Sequence, residues 1–146
     1  MESGRLVDLL WVEDDAADRE LILELARSQL GGLAILALTD GHEALAWLRG
    51  RRREELPRVV VLDLHLPGLN GLRVLEHIRA NPHTAALPVV IFTSSANPVQ
   101  VGACYQAGAN SYVVKPSNWE QYLRCFVQLA TYWTRQNACY PPCFSE

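Results

Sequence analysis

A chain of 146 residues with 49% hydrophobic residues and a formal net charge of −3 is long enough for one domain with a real core. The charge balance lacks the basic excess that a nucleic-acid surface needs. No secretory leader opens the sequence and no apolar run approaches a membrane span, so a cytoplasmic protein with neither nucleic-acid nor membrane partners is expected.

Leu6 to Val12, apolar apart from Asp8, reads as a first strand that stops at Glu13-Asp14-Asp15. Asp14 or Asp15 can cap the following helix, where acids also suit the helix dipole. Leu21, Ile22, Leu25 and Ala26 predict one apolar face for that helix, and Gly31-Gly32 ends it. Leu33 to Leu38 is a second strand. Asp40 with Glu43 matches a capping box for a helix carrying Ala44, Leu45, Trp47 and Leu48. Gly50 to Glu55 reads as a charged loop. Its Arg51-Arg52-Arg53 run resembles a phosphate patch, but Glu54 and Glu55 follow directly and favour a solvated loop.

Arg58 to Leu64 is the third strand. Its unbroken β-branched run suits burial on both faces. It carries a lone carboxylate, Asp63, and Pro67, Gly68, Asn70 and Gly71 then supply turn chemistry. A helix from about Leu72 to Ala80 follows, with Leu72, Leu75 and Ile78 inward and Pro82 as its stop. Pro88 opens a fourth strand, Val89 to Phe92, which ends at Thr93-Ser94-Ser95. Asn97 and Pro98 start the next helix and Gly108 closes it. Tyr112 to Val114 is a short fifth strand ending at Lys115-Pro116. Ser117 or Asn118 caps a last helix reaching about Thr134. Trp119, Tyr122, Phe126, Leu129 and Trp133 form its inward stripe, with Leu123, Val127, Ala130 and Tyr132 on other faces.

Residues 1–135 are expected to form one domain, with residues 136–146 as a tail and loose order from Arg135 onward. Nothing after Trp133 is long enough for an output domain, so output is expected through contact with another protein. Cys104 and Cys125 fall in predicted helices, Cys139 and Cys143 in the tail. Without an export signal they read as reduced thiols, and the tail pair alone supplies too few ligands for a metal site.

Five alternations of strand and helix with short connections predict an α/β fold: a doubly wound five-stranded parallel sheet of order 2-1-3-4-5, flavodoxin-like (βα)5. In that order the winding reverses between strands one and three, where binding sites of such folds lie. Those strands end in Asp14 and Asp63. Glu13, Thr93 and Lys115 end strands one, four and five, so the topology converges these groups on one crevice. Lys115 is the only lysine among 13 basic residues. Genomic preference for arginine accounts for that, yet lysine offers a compact charge that arginine does not copy. Three close carboxylates repel one another, and an oxygen-ligated divalent cation, Mg2+ over zinc, relieves the repulsion. Lys115 is expected to add positive charge on the opposite side. Such a carboxylate can attack a phosphoryl donor and become an aspartyl phosphate, with Thr93 donating to a phosphoryl oxygen.

The motifs Leu-Leu-Trp-Val-Glu-Asp-Asp, Val-Leu-Asp-Leu-His-Leu-Pro-Gly-Leu-Asn-Gly, Val-Ile-Phe-Thr-Ser-Ser and Gly-Ala-Asn-Ser-Tyr-Val-Val-Lys-Pro resemble the receiver domains of two-component response regulators from about Leu6 to Trp133. The last motif, with Tyr132-Trp133, looks most like single-domain regulators paired with phytochrome-type sensor kinases. The resemblance implies that Asp63 is the phosphoacceptor. It implies Mg2+ binding through the side chains of Asp14 and Asp63, the backbone carbonyl of His65, and Glu13 through a water. It assigns Thr93 and Lys115 to the phosphoryl group, Tyr112 to a switch whose rotamer reports phosphorylation, and a cis peptide to Lys115–Pro116. A sensor histidine kinase, such as a bacteriophytochrome, is the implied partner. A homodimer face is expected on helix four, strand five and helix five, including Val101, Tyr105, Leu123 and Val127, with C2 symmetry.

Some residues depart from the pattern. Trp11 is bulky for its strand, and His65 and Ser95 flank the phosphoryl pocket. His65 also reads as an acid/base or metal ligand, although a solvent-facing side chain is favoured. An aspartate-nucleophile phosphatase of the haloacid-dehalogenase kind needs a second acid two residues after Asp63, where His65 stands. A phosphate-independent interaction module would not need all five site residues. No P-loop occurs. The expectation is a signalling protein, not an enzyme.

Overall fold

The computed structural model describes residues 7–138. The strands are β1 (Leu9–Val12), β2 (Ile35–Leu38), β3 (Val59–Leu62), β4 (Val89–Thr93) and β5 (Ser111–Val114). They alternate with the helices α1 (Ala16–Gln29), α2 (Gly41–Arg49), α3 (Gly71–Ala80), α4 (Pro98–Gln106) and α5 (Trp119–Thr131). The sheet is wholly parallel in the order β2-β1-β3-β4-β5, as expected. Every residue of the inner strands β1, β3 and β4 is buried, which explains their unbroken apolar runs. The edge strands β2 and β5 are half-buried or exposed.

Alternation along the strands divides the core into two layers. Leu10, Val12, Val60 and Leu62 face α2, α3 and α4. Leu9, Trp11, Val61 and Phe92 face α1 and α5. Trp11 is fully buried in the second layer, its ring 4.8 Å from that of Phe126, alongside the small Ala26 and Ala130. Its bulk is therefore absorbed by a large–small arrangement of side chains from both helices.

Short polar side chains cap all five helices. Asp15 accepts from Asp18 N, Asp40 from Glu43 N, Asn70 from Arg73 N, Asn97 from Val99 N and Asn118 from Gln121 N. The open choices thus resolve to Asp15 and Asn118. The box at Asp40 is modified: Glu43 Oε1 accepts from Thr39 N, one residue before the cap.

Several expectations are corrected. Leu21 is exposed, and the inward stripe of α1 is Ile22 and Ala26, continued by Leu30 at its C-cap. Val74, not expected inward, is fully buried in α3, while Leu72 packs against the same core layer half-buried, as expected. Ala130 is buried in the core, so the surplus apolar face of α5 is narrower than its sequence suggested. The charged loop contains a 3-10 turn, Arg53–Glu55, where Arg52 pairs with Glu54 and Glu55. A π-helical turn, Tyr132–Gln136, extends the last helix, and Arg135 donates to the Gly31 carbonyl, so order continues past Arg135. Cys139 and Cys143, with residues 139–146 and 1–6, lie outside the described residues.

Candidate functional site

The strand register brings the expected groups to one level. Val12 is paired with Leu62, and Thr93 with Val114. Backbone bonds extend the ladder by one residue: Glu13 N donates to Leu38 O at 3.0 Å, Asp63 N to Val12 O at 3.1 Å, and Lys115 N to Thr93 O at 2.7 Å. Glu13, Asp63 and Lys115 are therefore each the first residue beyond a paired strand, Thr93 is the last paired residue of β4 and Asp14 follows Glu13, so the sheet holds all five at its carboxyl edge.

Glu13, Asp14 and Asp63 each offer a carboxylate oxygen within 4.8 Å of the others. Glu13 and Asp63 are buried and Asp14 is exposed. Because Asp15 takes the cap, Asp14 is left at the strand end to face the crevice. Lys115 stands at the end of the edge strand β5, two strands from Asp63. It reaches over β4, and its Nζ lies 2.6 Å from Glu13 Oε1 and 2.9 Å from Asp63 Oδ2. The second Glu13 oxygen accepts from Asp15 N at 3.2 Å, and Asp63 Oδ1 accepts from His65 N at 3.1 Å. Burial pushes the Glu13 carboxyl above its ordinary pKa, and the Lys115 hydrogen bond only partly offsets this. Burial works against the Lys115 charge too, but bonds to Glu13 and Asp63 outweigh it and raise its pKa.

Thr93 is fully buried, and its Oγ1 has no hydrogen-bond partner among the described residues. A buried hydroxyl without a partner is costly, so it is an available donor at the site. His65 is exposed, in keeping with a solvent-facing side chain. Ser95 bonds Gln100 of α4 through its hydroxyl, and its carbonyl accepts from the Tyr112 hydroxyl at 2.7 Å. Tyr112 N in turn donates to the Tyr105 hydroxyl at 3.1 Å. The loop after β4, Tyr112 and α4 thus form one connected network.

The oxygen-only donor set, with one exposed acid leaving room for waters, fits a hard divalent cation.

Four contributors are not evident in the sequence. Gly71 reads in sequence only as turn chemistry, yet a Cβ there would overlap the Asp63 carbonyl oxygen, so only glycine lets α3 start against the Asp63 loop. Arg19 Nη1 donates to the Glu13 carbonyl at 2.9 Å. Tyr122 and Phe92 flank Lys115, with ring centroids 5.7 and 5.8 Å from Nζ. The position of Phe92 directly before Thr93 was the one available signal.

A family model described as the response regulator receiver domain matches residues 9–125. Response regulator Rcp1 of Synechocystis sp. is 32% identical over 128 residues, covering 86% of this chain and 87% of that protein. The crystal structure of the phosphorylated cyanobacterial phytochrome response regulator RcpA is similar with a TM-score of 0.82 at 27% identity, covering 92% of this chain and 99% of that one. The Mn2+-bound form of response regulator Rcp1 is similar with a TM-score of 0.81 at 29% identity, covering 91% and 98%.

Proposed function

This chain belongs to the response regulator receiver family, and from that premise we propose that Asp63 accepts a phosphoryl group from a sensor histidine kinase. The observation that carries the reading is the convergence of Glu13, Asp14 and Asp63 within 4.8 Å, with the only lysine bonded to Asp63 at 2.9 Å. Receiver domains are signalling modules, generally without enzymatic activity of their own. The phosphatase alternative needs an acid where this chain has the exposed His65.

A carboxylate oxygen of Asp63 attacks the phosphorus of the kinase phosphohistidine. A P–O bond forms, the P–N bond breaks, and its electron pair stays on the imidazole nitrogen, which takes up a proton. Lys115 holds positive charge beside Asp63 throughout, and Thr93 Oγ1 donates to a phosphoryl oxygen. We assign Mg2+ to Asp14 and Asp63, with the His65 carbonyl and Glu13 through a water; when bound it supplies the charge that neutralises the remaining phosphoryl oxygens. Drawing the Thr93 hydroxyl toward that group vacates space, and Tyr112 is the ring that fills it.

Similarity to a cyanobacterial phytochrome response regulator supports a phytochrome-type kinase as the partner, in the cytoplasm. Self-association is assigned to the α4–β5–α5 face, with Val101, Tyr105, Leu123 and Val127. The exposure of Val99, Tyr105 and Val114 there supports it.

The test is phosphorylation of wild type and Asp63→Asn by acetyl phosphate and by candidate kinases with labelled ATP. Wild type should gain an acid-labile, hydroxylamine-sensitive label in Mg2+, and the variant none. Label of that kind on Asp63→Asn would overturn the assignment.

A further inference from the structure

The backbone fixes where Lys115 begins but not where its ammonium ends. Four methylenes separate the two, and a flexible lysine stem does not by itself aim a charge. Yet the side chain is only 10% exposed, and its Nζ meets Glu13 and Asp63 at hydrogen-bonding distance. Something on the remaining side must hold it.

That side is aromatic. Nζ lies over the Phe92 ring at 5.8 Å and over the Tyr122 ring at 5.7 Å. The two rings meet edge to face, with centroids 5.5 Å apart and planes at 83°. Phe92 is fully buried in β4, next to Thr93. Tyr122 is buried near the start of α5 and is braced by Trp119, whose ring centroid lies 5.2 Å away. Two of the three ammonium hydrogens point to carboxylates, and the ring faces offer negative quadrupole charge to the rest. An aliphatic residue at position 122 would fill the space without that charge.

We propose that Phe92 and Tyr122 form an aromatic cradle that aims Lys115 at Asp63, which makes Tyr122 a positioning residue for phosphoryl transfer. The cradle rests on the reading of Asp63 as phosphoacceptor for its functional meaning, though not for its geometry. It acts by pre-organising the charge, so that less ordering remains when the phosphoryl group arrives.

Because Lys115 is the only lysine, protein made with 13Cε-labelled lysine gives a single εCH2 signal in nuclear magnetic resonance spectra. In wild type that signal should lie upfield of its position in urea-unfolded protein and show Overhauser contacts to the Phe92 and Tyr122 ring protons. Tyr122→Phe keeps the ring and should keep both features and the wild-type rate of phosphorylation by acetyl phosphate. Tyr122→Leu should move the signal toward the unfolded position and slow phosphorylation about fivefold, the size of a partly desolvated cation–ring contact. A wild-type signal without ring shift or ring contacts overturns the cradle with no variant needed. So does Tyr122→Leu reacting at the wild-type rate, or slowing while its lysine signal stays in place, which would mark a purely structural role. If wild type takes no phosphate from acetyl phosphate, the proposed function falls, while the lysine signal still decides the cradle.

Discussion

The Lys115 ammonium lies 2.6 Å from Glu13 Oε1, across 102 residues of sequence, and so sits closer to Glu13 than to Asp63. Glu13 is 2% exposed, and Lys115 is its only partner of opposite charge among the described ion pairs. Lys115→Met should therefore cost about 2 kcal/mol at neutral pH, below the usual cost of breaking a fully buried pair because the crevice is open to water. Both partners have raised pKa values, and the signs follow from that. The Lys115 contribution is complete below its ordinary value of 10.5 and is lost as pH rises through the higher folded value. The lone Glu13 of the variant prefers its neutral form, so the variant regains stability on acidification. The gap between the two proteins should be widest near neutrality and narrow on both sides, as urea denaturation across pH will show.

Asp14→Asn should weaken Mg2+ binding roughly tenfold, because it removes one of three clustered carboxylates without disturbing the Asp15 cap. Calorimetric titration measures this directly. Chelation by EDTA should abolish phosphorylation of wild type by acetyl phosphate, and added Mg2+ should restore it.

Gly71→Ala should cost about 2 kcal/mol, because its Cβ meets backbone that cannot rotate away. The displaced atoms are the Asp63 carbonyl and Leu64 Cα, so phosphorylation should slow as well. Alanine is ordinarily favoured over glycine in helices, so a variant as stable and as reactive as wild type would refute the close-approach argument.

Arg79 ties the end of α3 to two loops. It donates to the carbonyls of Gly108, Ala85 and Leu87 and to Asn110 Oδ1, which also accepts from Val89 N. Burial lowers its pKa, which marks the desolvation these bonds must offset. Arg79→Ala should cost about 2–3 kcal/mol in thermal or urea unfolding. Arg79→Lys should recover only part, since an ammonium lacks the planar fork.

Val99→Asp with Tyr105→Glu tests self-association better than changes at Leu123 and Val127, which are half-buried and pack on the core. Sedimentation at tens of micromolar, the range of a weak interface, should show wild type as a dimer and the variant as a monomer. Monomers in both, with and without a beryllofluoride phosphoryl mimic, would remove the dimer assignment.

Local interactions made much of this protein legible in its sequence. A β-branched run needs no distant partner to be a strand, and an Asp, Asn or Pro at a helix start acts on atoms within three residues. From these the alternation, the sheet order and the level of Glu13, Asp14, Asp63, Thr93 and Lys115 followed. Side-chain direction in three dimensions decided the rest. The periodicity of α1 admits Leu21 to its apolar face, but only the position of the sheet determines that Ile22 turns inward and Leu21 outward. Both Asp14 and Asp15 have cap chemistry, and the turn after β1 selects Asp15. Lys115 reaches Glu13 because the strand order sets the end of β5 across β4 from the acids, and its long stem spans that gap beside the Phe92 and Tyr122 rings. Gly71 is a turn residue in sequence and a contact surface in the fold, because the atom it lacks would occupy the place of the Asp63 carbonyl.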